Sequence, residues 1–191
     1  MVKRLVVAIT GASGAIIGVK MLEALRETEF ESHLIISKWG RQTLEVETNF
    51  SLEQVSQLAD VYYNSSDMGA SVSSGSFLTS GMVIVPCSMR TLAAVAGGIG
   101  DTLIHRAADV VIKEQKKLVL MPREMPFSVI HLDNMLKLSK IGITIMPPMI
   151  AFYNSPKDID DLLNHIVARA LDQFGIENDF TRRWQGKGAK I

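Results

Sequence analysis

The sequence predicts an α/β fold on a parallel sheet, and three observations predict it. Strand-like and helix-like patterns alternate along the chain. The best strand candidates, Leu5–Ile9 and Met82–Val85, are continuous apolar runs, as expected for strands covered on both faces. Short turns rich in glycine, serine or proline follow the strand ends. At roughly 150 residues per domain, 191 residues suit one domain, taken as 1–181, with a polar tail over 182–191. The apolar fraction is 47% and the charged fraction 21%, as for a folded globular chain. Twenty basic residues balance twenty acidic ones, which argues against a nucleic-acid partner held by bulk charge. Cys87 is the lone cysteine, so neither an internal disulfide nor a Cys-rich zinc site is available. No apolar run approaches the 18 or so residues of a membrane span, and Met1–Arg4 leads into a strand without a signal-peptide pattern. A cytoplasmic protein without a membrane partner is the expectation.

The elements follow in order. Leu5–Ile9 is the first strand, Thr10–Gly14 a tight turn, and Ile17–Arg26 a helix. His33–Ser37 is the second strand. Trp39–Glu47 and Leu52–Leu58 read as helices, the latter opened by a capping box of Ser51 and Gln54. Val61–Tyr63 is a weak strand. Ser65–Ser80 is rich in serine and reads as a long functional loop inside the domain. After the Met82–Val85 strand, Ser88–Ala96 is a helix stopped by Gly97 and Gly98, and Leu103–Gln115 is an amphipathic helix. Lys117–Met121 is a strand, Ser128–Ser139 a helix, and Ile143–Met146 a strand. The last helix is read with Ser155 as its cap, Pro156 as its first residue, three aspartates near its start and Gly175 at its end.

Ligands of such sheets sit beyond the carboxyl ends of the strands. Thr10-Gly11-Ala12-Ser13-Gly14 occupies that place after the first strand. Its glycines let backbone N–H groups approach an anion at a helix N-terminus, although a plain β-α turn uses the same residues. The spacing is not G-x-G-x-x-G, and Ser37-Lys38 stand where a dinucleotide site wants an acid. A mononucleotide therefore fits better than NAD. Pro86-Cys87-Ser88-Met89-Arg90-Thr91 repeats the arrangement after the strongest strand. Cys87 has no local base and reads as a small buried residue. In Met121–Phe127, two prolines bracket Arg123 and Glu124, so the two charges are held rather than loose. Arg106 and Lys113 lie seven apart on one helix face; alone, they read as a solvated face with an Asp109–Lys113 pair. Asp158, Asp160 and Asp161 answer to the helix dipole rather than to a metal, and the four histidines show no ligand spacing.

These segments, together with Glu45–Thr48, Ile104–Glu114, His131–Leu138 and Phe152-Tyr153, resemble the UbiX-type flavin prenyltransferases. The motifs TGASG, PREMPF and IHLDNMLKL carry the likeness, which runs nearly to Trp184. The resemblance implies a flavodoxin-like Rossmann three-layer sandwich, a homododecamer, and FMN at subunit interfaces. It implies transfer of a dimethylallyl group from dimethylallyl monophosphate to N5 and then C6 of reduced FMN. The product would serve a UbiD-type decarboxylase. By the same resemblance, Gly11, Ala12, Ser13, Ser37, Ser88, Met89, Arg90, Thr91 and Arg123 contact FMN. Arg106, Lys113, Arg123, Glu124, Tyr153 and Arg169 meet the allylic phosphate, in a pocket drawn from more than one subunit. Glu47 and Ser13 handle protons near N5. Met68 stands where several members carry a tryptophan on the prenyl pocket.

The chemistry suits these residues. Breaking an allylic C–O bond puts negative charge on a phosphate, which arginine forks and a lysine point charge stabilise. The flavin is the nucleophile, so none is needed from the protein, and no metal motif is present. The alternative is a non-catalytic FMN-binding subunit of an aromatic acid decarboxylase. A flavin-dependent peptidyl-cysteine decarboxylase is disfavoured, because no histidine opens the first helix and Pro122-Arg123-Glu124 replaces an asparagine motif.

Overall fold

A computed structural model describes residues 3–186. Six parallel strands form one sheet: β1 (Arg4–Ile9), β2 (Glu31–Ile36), β3 (Val61–Asn64), β4 (Gly81–Cys87), β5 (Lys117–Pro122) and β6 (Thr144–Ile145). Their spatial order is β3-β2-β1-β4-β5-β6. This is the doubly wound Rossmann order, and without the short edge strand β3 it is the flavodoxin-like one. The order reverses between β1 and β4, so the crevice that takes ligands opens beyond those two strands.

The helices are α1 (Ala15–Arg26), α2 (Lys38–Glu47), α3 (Leu52–Ser56), α4 (Met89–Gly97), α5 (Leu103–Lys113), α6 (Val129–Lys140) and α7 (Ile159–Asp172). They make two outer layers. On one face, Val7, Ile9, Val83 and Val85 pack against α1 and α7. On the other, Val6, Ala8, Met82 and Ile84 pack against α4, α5 and α6. Both faces are covered, which is why β1 and β4 carry unbroken apolar runs.

Local chemistry sets the helix starts. Ser51 and Gln54 form the expected capping box of α3. Ser128 caps α6 with His131 in the place usually taken by Glu or Gln. The start of α7 is a correction. Asp158, not Ser155, is the cap, its side chain accepting from Asp161 N–H, and Ile159 rather than Pro156 is the first helical residue. Ser155 sits at φ 55° and cannot serve as an extended N-cap. The Ser65–Ser80 loop is packed rather than trailing: Ala70 and Val72 enter the core, and Ser71–Ser73 form a short 3-10 turn.

Candidate functional site

The first β-α turn is built by close approach. A side chain at Gly11 would meet Trp39 Cβ at 2.4 Å, so only glycine lets α2 dock there. Gly14 caps α1 at φ 99°, a left-handed conformation that favours glycine. Over this turn Glu47, from the last turn of α2, extends its carboxylate. Its Oε2 accepts from Gly14 N–H at 2.7 Å and Ala15 N–H at 3.2 Å. Arg123 Nε donates to Ser13 carbonyl at 3.3 Å. Burial opposes ionisation of Glu47. Hydrogen bonds from the Ser13 side chain and the two backbone N–H groups, with the Arg123 charge, outweigh it and hold the carboxyl below its ordinary range. Glu47, Ser13 and Arg123 are thus brought together from three distant segments.

Beside this group lies a cleft of about 320 Å³ lined by Gly11, Ser37, Ser88, Arg90 and Thr91, among others. Three helices begin in it. Ser37 caps α2 by accepting from Gly40 N–H, Ser88 caps α4 by accepting from Thr91 N–H, and Thr102 caps α5 by accepting from His105 N–H. Each N-terminus presents partial positive charge, and Lys38 and Arg90 add full charges. Thr10 locks two of the turns together. Its hydroxyl donates to Pro86 carbonyl at 2.7 Å and accepts from Ser88 N–H at 2.7 Å. Ala12 is buried, and Met89 packs into the core behind the turn. The donor set fits a phosphate monoester, and Trp39 and Ile104 supply an apolar flank. Cys87 is fully buried and its thiol is pushed far up by desolvation, which suits a packing role.

The remaining residues lie elsewhere. Arg106 donates to Ser73 carbonyl at 3.1 Å and to Asp109 at 2.7 Å. Lys113 pairs with Glu114 at 2.6 Å, not with Asp109, which corrects the expected i,i+4 pair. Both cations face the Ser65–Ser80 loop, because a side chain at Gly75 would sit 2.7 Å from Lys113 Nζ. Glu124 makes no ion pair with Arg123; its Oε1 accepts from Met125 N–H at 3.0 Å. Tyr153 and Arg169 share a separate cleft of about 260 Å³ with His165 and Trp184. Residues just after α7 reach the sheet's opposite edge, where Phe174 lies against Gly81 at the start of β4. Lys113, four residues before β5 begins, is at that edge too. So within one chain Lys113 and Arg169 lie at the edge opposite Glu47 and Arg123, and the cleft that holds Tyr153 includes neither of those two residues.

Several residues of the cofactor-side cleft escaped the sequence reading. Lys38, Ser65, Thr102 and His105 line it, and His105 Nδ1 is bonded to Asp101 at 2.5 Å. The i,i+4 spacing of Asp101 and His105 and the Thr102 cap were the available signals. The tail from Arg182 onward is tied where it is described. Arg183 holds the Asp172 carboxylate with two donors, at 2.9 and 2.8 Å, and Trp184 lies edge-on to Tyr153. Residues 187–191 of that tail lie outside the described residues. Among the described residues no cluster of His, Cys, Asp and Glu could hold a metal, and no helix is long and apolar enough to cross a membrane.

A family model described as Flavoprotein matches residues 2–171. A probable UbiX-like flavin prenyltransferase of Escherichia coli O157:H7 is 55% identical over 184 residues, covering 96% of this chain and 93% of that protein. Flavin prenyltransferase LpdB of Lactiplantibacillus plantarum is 56% identical over 185 residues, covering 96% and 99%. The structure of AnUbiX (PadA1) with FMN and dimethylallyl pyrophosphate superposes with a TM-score of 0.96 at 48% identity, covering 97% and 99%. A dodecameric FMN-dependent UbiX-like decarboxylase from Escherichia coli O157:H7 superposes with a TM-score of 0.94 at 55% identity, covering 96% and 100%. The peptidyl-cysteine decarboxylase EpiD, at 17% identity and a TM-score of 0.61, shares the fold.

Proposed function

Because the chain belongs to the UbiX-like flavin prenyltransferases, we propose that it transfers a dimethylallyl group from a dimethylallyl phosphate to N5 and C6 of reduced FMN. The observation that carries this reading is the meeting of Glu47, Ser13 and Arg123 over the first β-α turn, beside a cleft entered by three helix N-termini. Gly11, Ala12, Ser37, Ser88, Met89, Arg90 and Thr91 would hold FMN. Reduced FMN supplies the nucleophile when bound. Arg123, which donates to Ser13 carbonyl, would balance anionic charge where the flavin and the allylic phosphate meet. Glu47, kept ionised by its donors, is the base for the proton that ring closure releases, and the Ser13 hydroxyl beside it orients that carboxylate.

Arg106, Lys113, Glu124, Tyr153 and Arg169 are proposed to receive the allylic phosphate, gathered from neighbouring copies rather than from one chain. The dodecameric relative supports a homo-oligomer, as does the apolar surface of α6, where Val129, Ile130, Leu132 and Leu136 are exposed. We propose a dodecamer. The AnUbiX complex contains the pyrophosphate donor. For this chain the monophosphate is the proposed donor, because arginine forks and a lysine point charge suit the oxygens of a single phosphate. The product would pass to a UbiD-type decarboxylase, and a cytoplasmic location fits that role. The carrier alternative, a non-catalytic FMN subunit, is not favoured by relatives bearing the prenyltransferase name.

The test is direct. The protein is incubated without oxygen with reduced FMN and either dimethylallyl monophosphate or pyrophosphate, and the bound flavin is weighed by mass spectrometry. A flavin heavier by one prenyl unit supports transfer. Flavin returned unchanged with both donors would establish the carrier.

A further inference from the structure

The cleft shared by Tyr153 and Arg169 contains an imidazole that none of the assigned roles uses. His165, on α7, is 6% exposed, and both of its ring nitrogens are engaged. Nδ1 meets the Thr181 hydroxyl at 2.9 Å, and Nε2 meets the Tyr153 hydroxyl at 3.2 Å. The rings of His165 and Trp184 both stand edge-on to Tyr153. Tyr153 is thus held at its ring and at its hydroxyl, while its side chain stays exposed to the cleft.

We propose that His165 is a positioning residue for the donor site: its Nε2–H donates to the Tyr153 oxygen, so that the Tyr153 hydroxyl gives its own proton to the phosphate of the allylic substrate. The proposal deepens the donor-site reading and rests on it. The direction of the bonds follows from their far end. Buried Asn154 donates from Nδ2 to Thr181 Oγ1 at 3.2 Å. Thr181 keeps its proton to give, and among the described residues its acceptor is His165 Nδ1. Burial, with the Arg169 charge, lowers the His165 pKa from 6.5, and the pull of Asp172 does not reverse it, so the ring is neutral at pH 7. A neutral imidazole has one donor and one acceptor nitrogen. With Nδ1 accepting, Nε2 carries the proton and turns it to the tyrosine oxygen. That donation polarises the Tyr153 O–H bond and strengthens it as a donor. The opposite polarity, with Tyr153 donating to Nε2, would leave the hydroxyl only lone pairs to offer an anion.

The experiment measures KM and kcat for dimethylallyl monophosphate with the full-length protein and reduced FMN, without oxygen. Tyr153→Phe is expected to raise KM about 10-fold, the size of one hydrogen bond to a charged group. His165→Phe keeps a ring in place and removes both nitrogens. Its KM is expected to rise about 3- to 10-fold, with kcat and FMN affinity held, because the contact serves bound donor and transition state alike. His165→Gln, whose amide can accept at one end and donate at the other, should recover part of that loss. Combined with Tyr153→Phe, His165→Phe should cost nothing more, since it acts through the hydroxyl. A wild-type KM in His165→Phe overturns the proposal. So does a double variant in which the two losses add, the mark of a merely structural ring. If His165→Phe does not fold, Thr181→Val, which removes the proton that sets the tautomer, goes through the same cycle with the same outcomes. A wild-type KM in Tyr153→Phe sinks the placement of the donor phosphate at Tyr153, and the proposal with it. A raised KM in Tyr153→Phe beside a wild-type KM in His165→Phe sinks only this proposal.

Discussion

The two ends of the sheet solve the same problem by different means. At the carboxyl edge, anion-binding capacity comes from backbone: Gly11 and the starts of α2, α4 and α5 line one cleft, and each helix start brings its partial positive charge there. At the opposite edge it comes from long side chains, Lys113 and Arg169, each about half exposed and paired locally with Glu114 and Asp172. Backbone donors are placed by the fold of a single chain and need no neighbour. Exposed lysine and arginine pairs gain little from their partners in water, so they are free to exchange those partners for a phosphate when another copy closes over them. On the proposed reading, the helix starts of one subunit build the cradle for a phosphate monoester, and neighbouring copies complete the surroundings of the flavin and of the allylic donor.

The largest effect on that division is expected of Glu47→Gln. The subunit should still bind FMN, because the N-caps are untouched. Formation of the final adduct should slow by about 10²- to 10⁴-fold, the range of one general base. Mass spectrometry of the bound flavin reads the outcome, and wild-type turnover would remove Glu47 from proton transfer.

Arg169→Ala tests the other end. Its cost should fall on the allyl phosphate, raising KM about 10- to 100-fold for one charge-assisted contact, while FMN affinity holds. Co-assembly of Arg169→Ala with Glu47→Gln separates a shared site from a single-chain one. If one site draws Glu47 and Arg169 from different copies, mixed oligomers regain part of the activity that each variant lacks alone. No recovery on mixing would place both residues in one chain's site.

Much of the carboxyl edge was legible in the sequence, because turns and caps obey local rules. Gly11–Gly14 after an apolar run, the Ser51 and Gln54 box, and Ser88 before a helix all read correctly. Convergence was not legible. That Ser37, Ser88 and Thr102 open helices into one cleft depends on strand order, which no short window encodes. Arg106 and Lys113 read correctly as one helix face, but what that face touches, the loop near Gly75, is tertiary. The start of α7 misled for a related reason. Ser155-Pro156 is a good local helix start, yet the chain takes Ser155 to positive φ and delays the helix to the next acceptor, Asp158. That acceptor gives a smaller prediction. Asp158→Ala should cost about 1 kcal/mol, lowering Tm by about 2–4 °C, with FMN binding unchanged. Differential scanning calorimetry checks it, and an unchanged Tm would mean that another group caps α7.

The least effect is expected where the two ends are physically joined. The Ser65–Ser80 loop runs from Ser65 at the cofactor cleft to Gly75 beside Lys113, and His33 of β2 pins its middle. His33 Nδ1 bonds Tyr63 hydroxyl at 2.9 Å, that hydroxyl bonds Ser71 at 2.7 Å, and the ring meets Phe77 edge-on. Burial lowers the His33 pKa from 6.5, and the attraction of Glu31, whose carboxylate lies 3.1 Å from Nε2, does not reverse it. The neutral ring is therefore the native form. Below pH 6.5 the unfolded chain takes up a proton that the folded ring resists, so stability present above that pH is lost as pH falls toward the lowered folded value. Amide exchange should report this locally: protection over residues 65–80 falls between about pH 7 and pH 5 more than protection in β4, after correction for the intrinsic exchange rate. In His33→Phe the extra fall should disappear. If protection in the loop tracks β4 in both proteins, His33 does not hold the loop, and the two ends are coupled through the sheet alone.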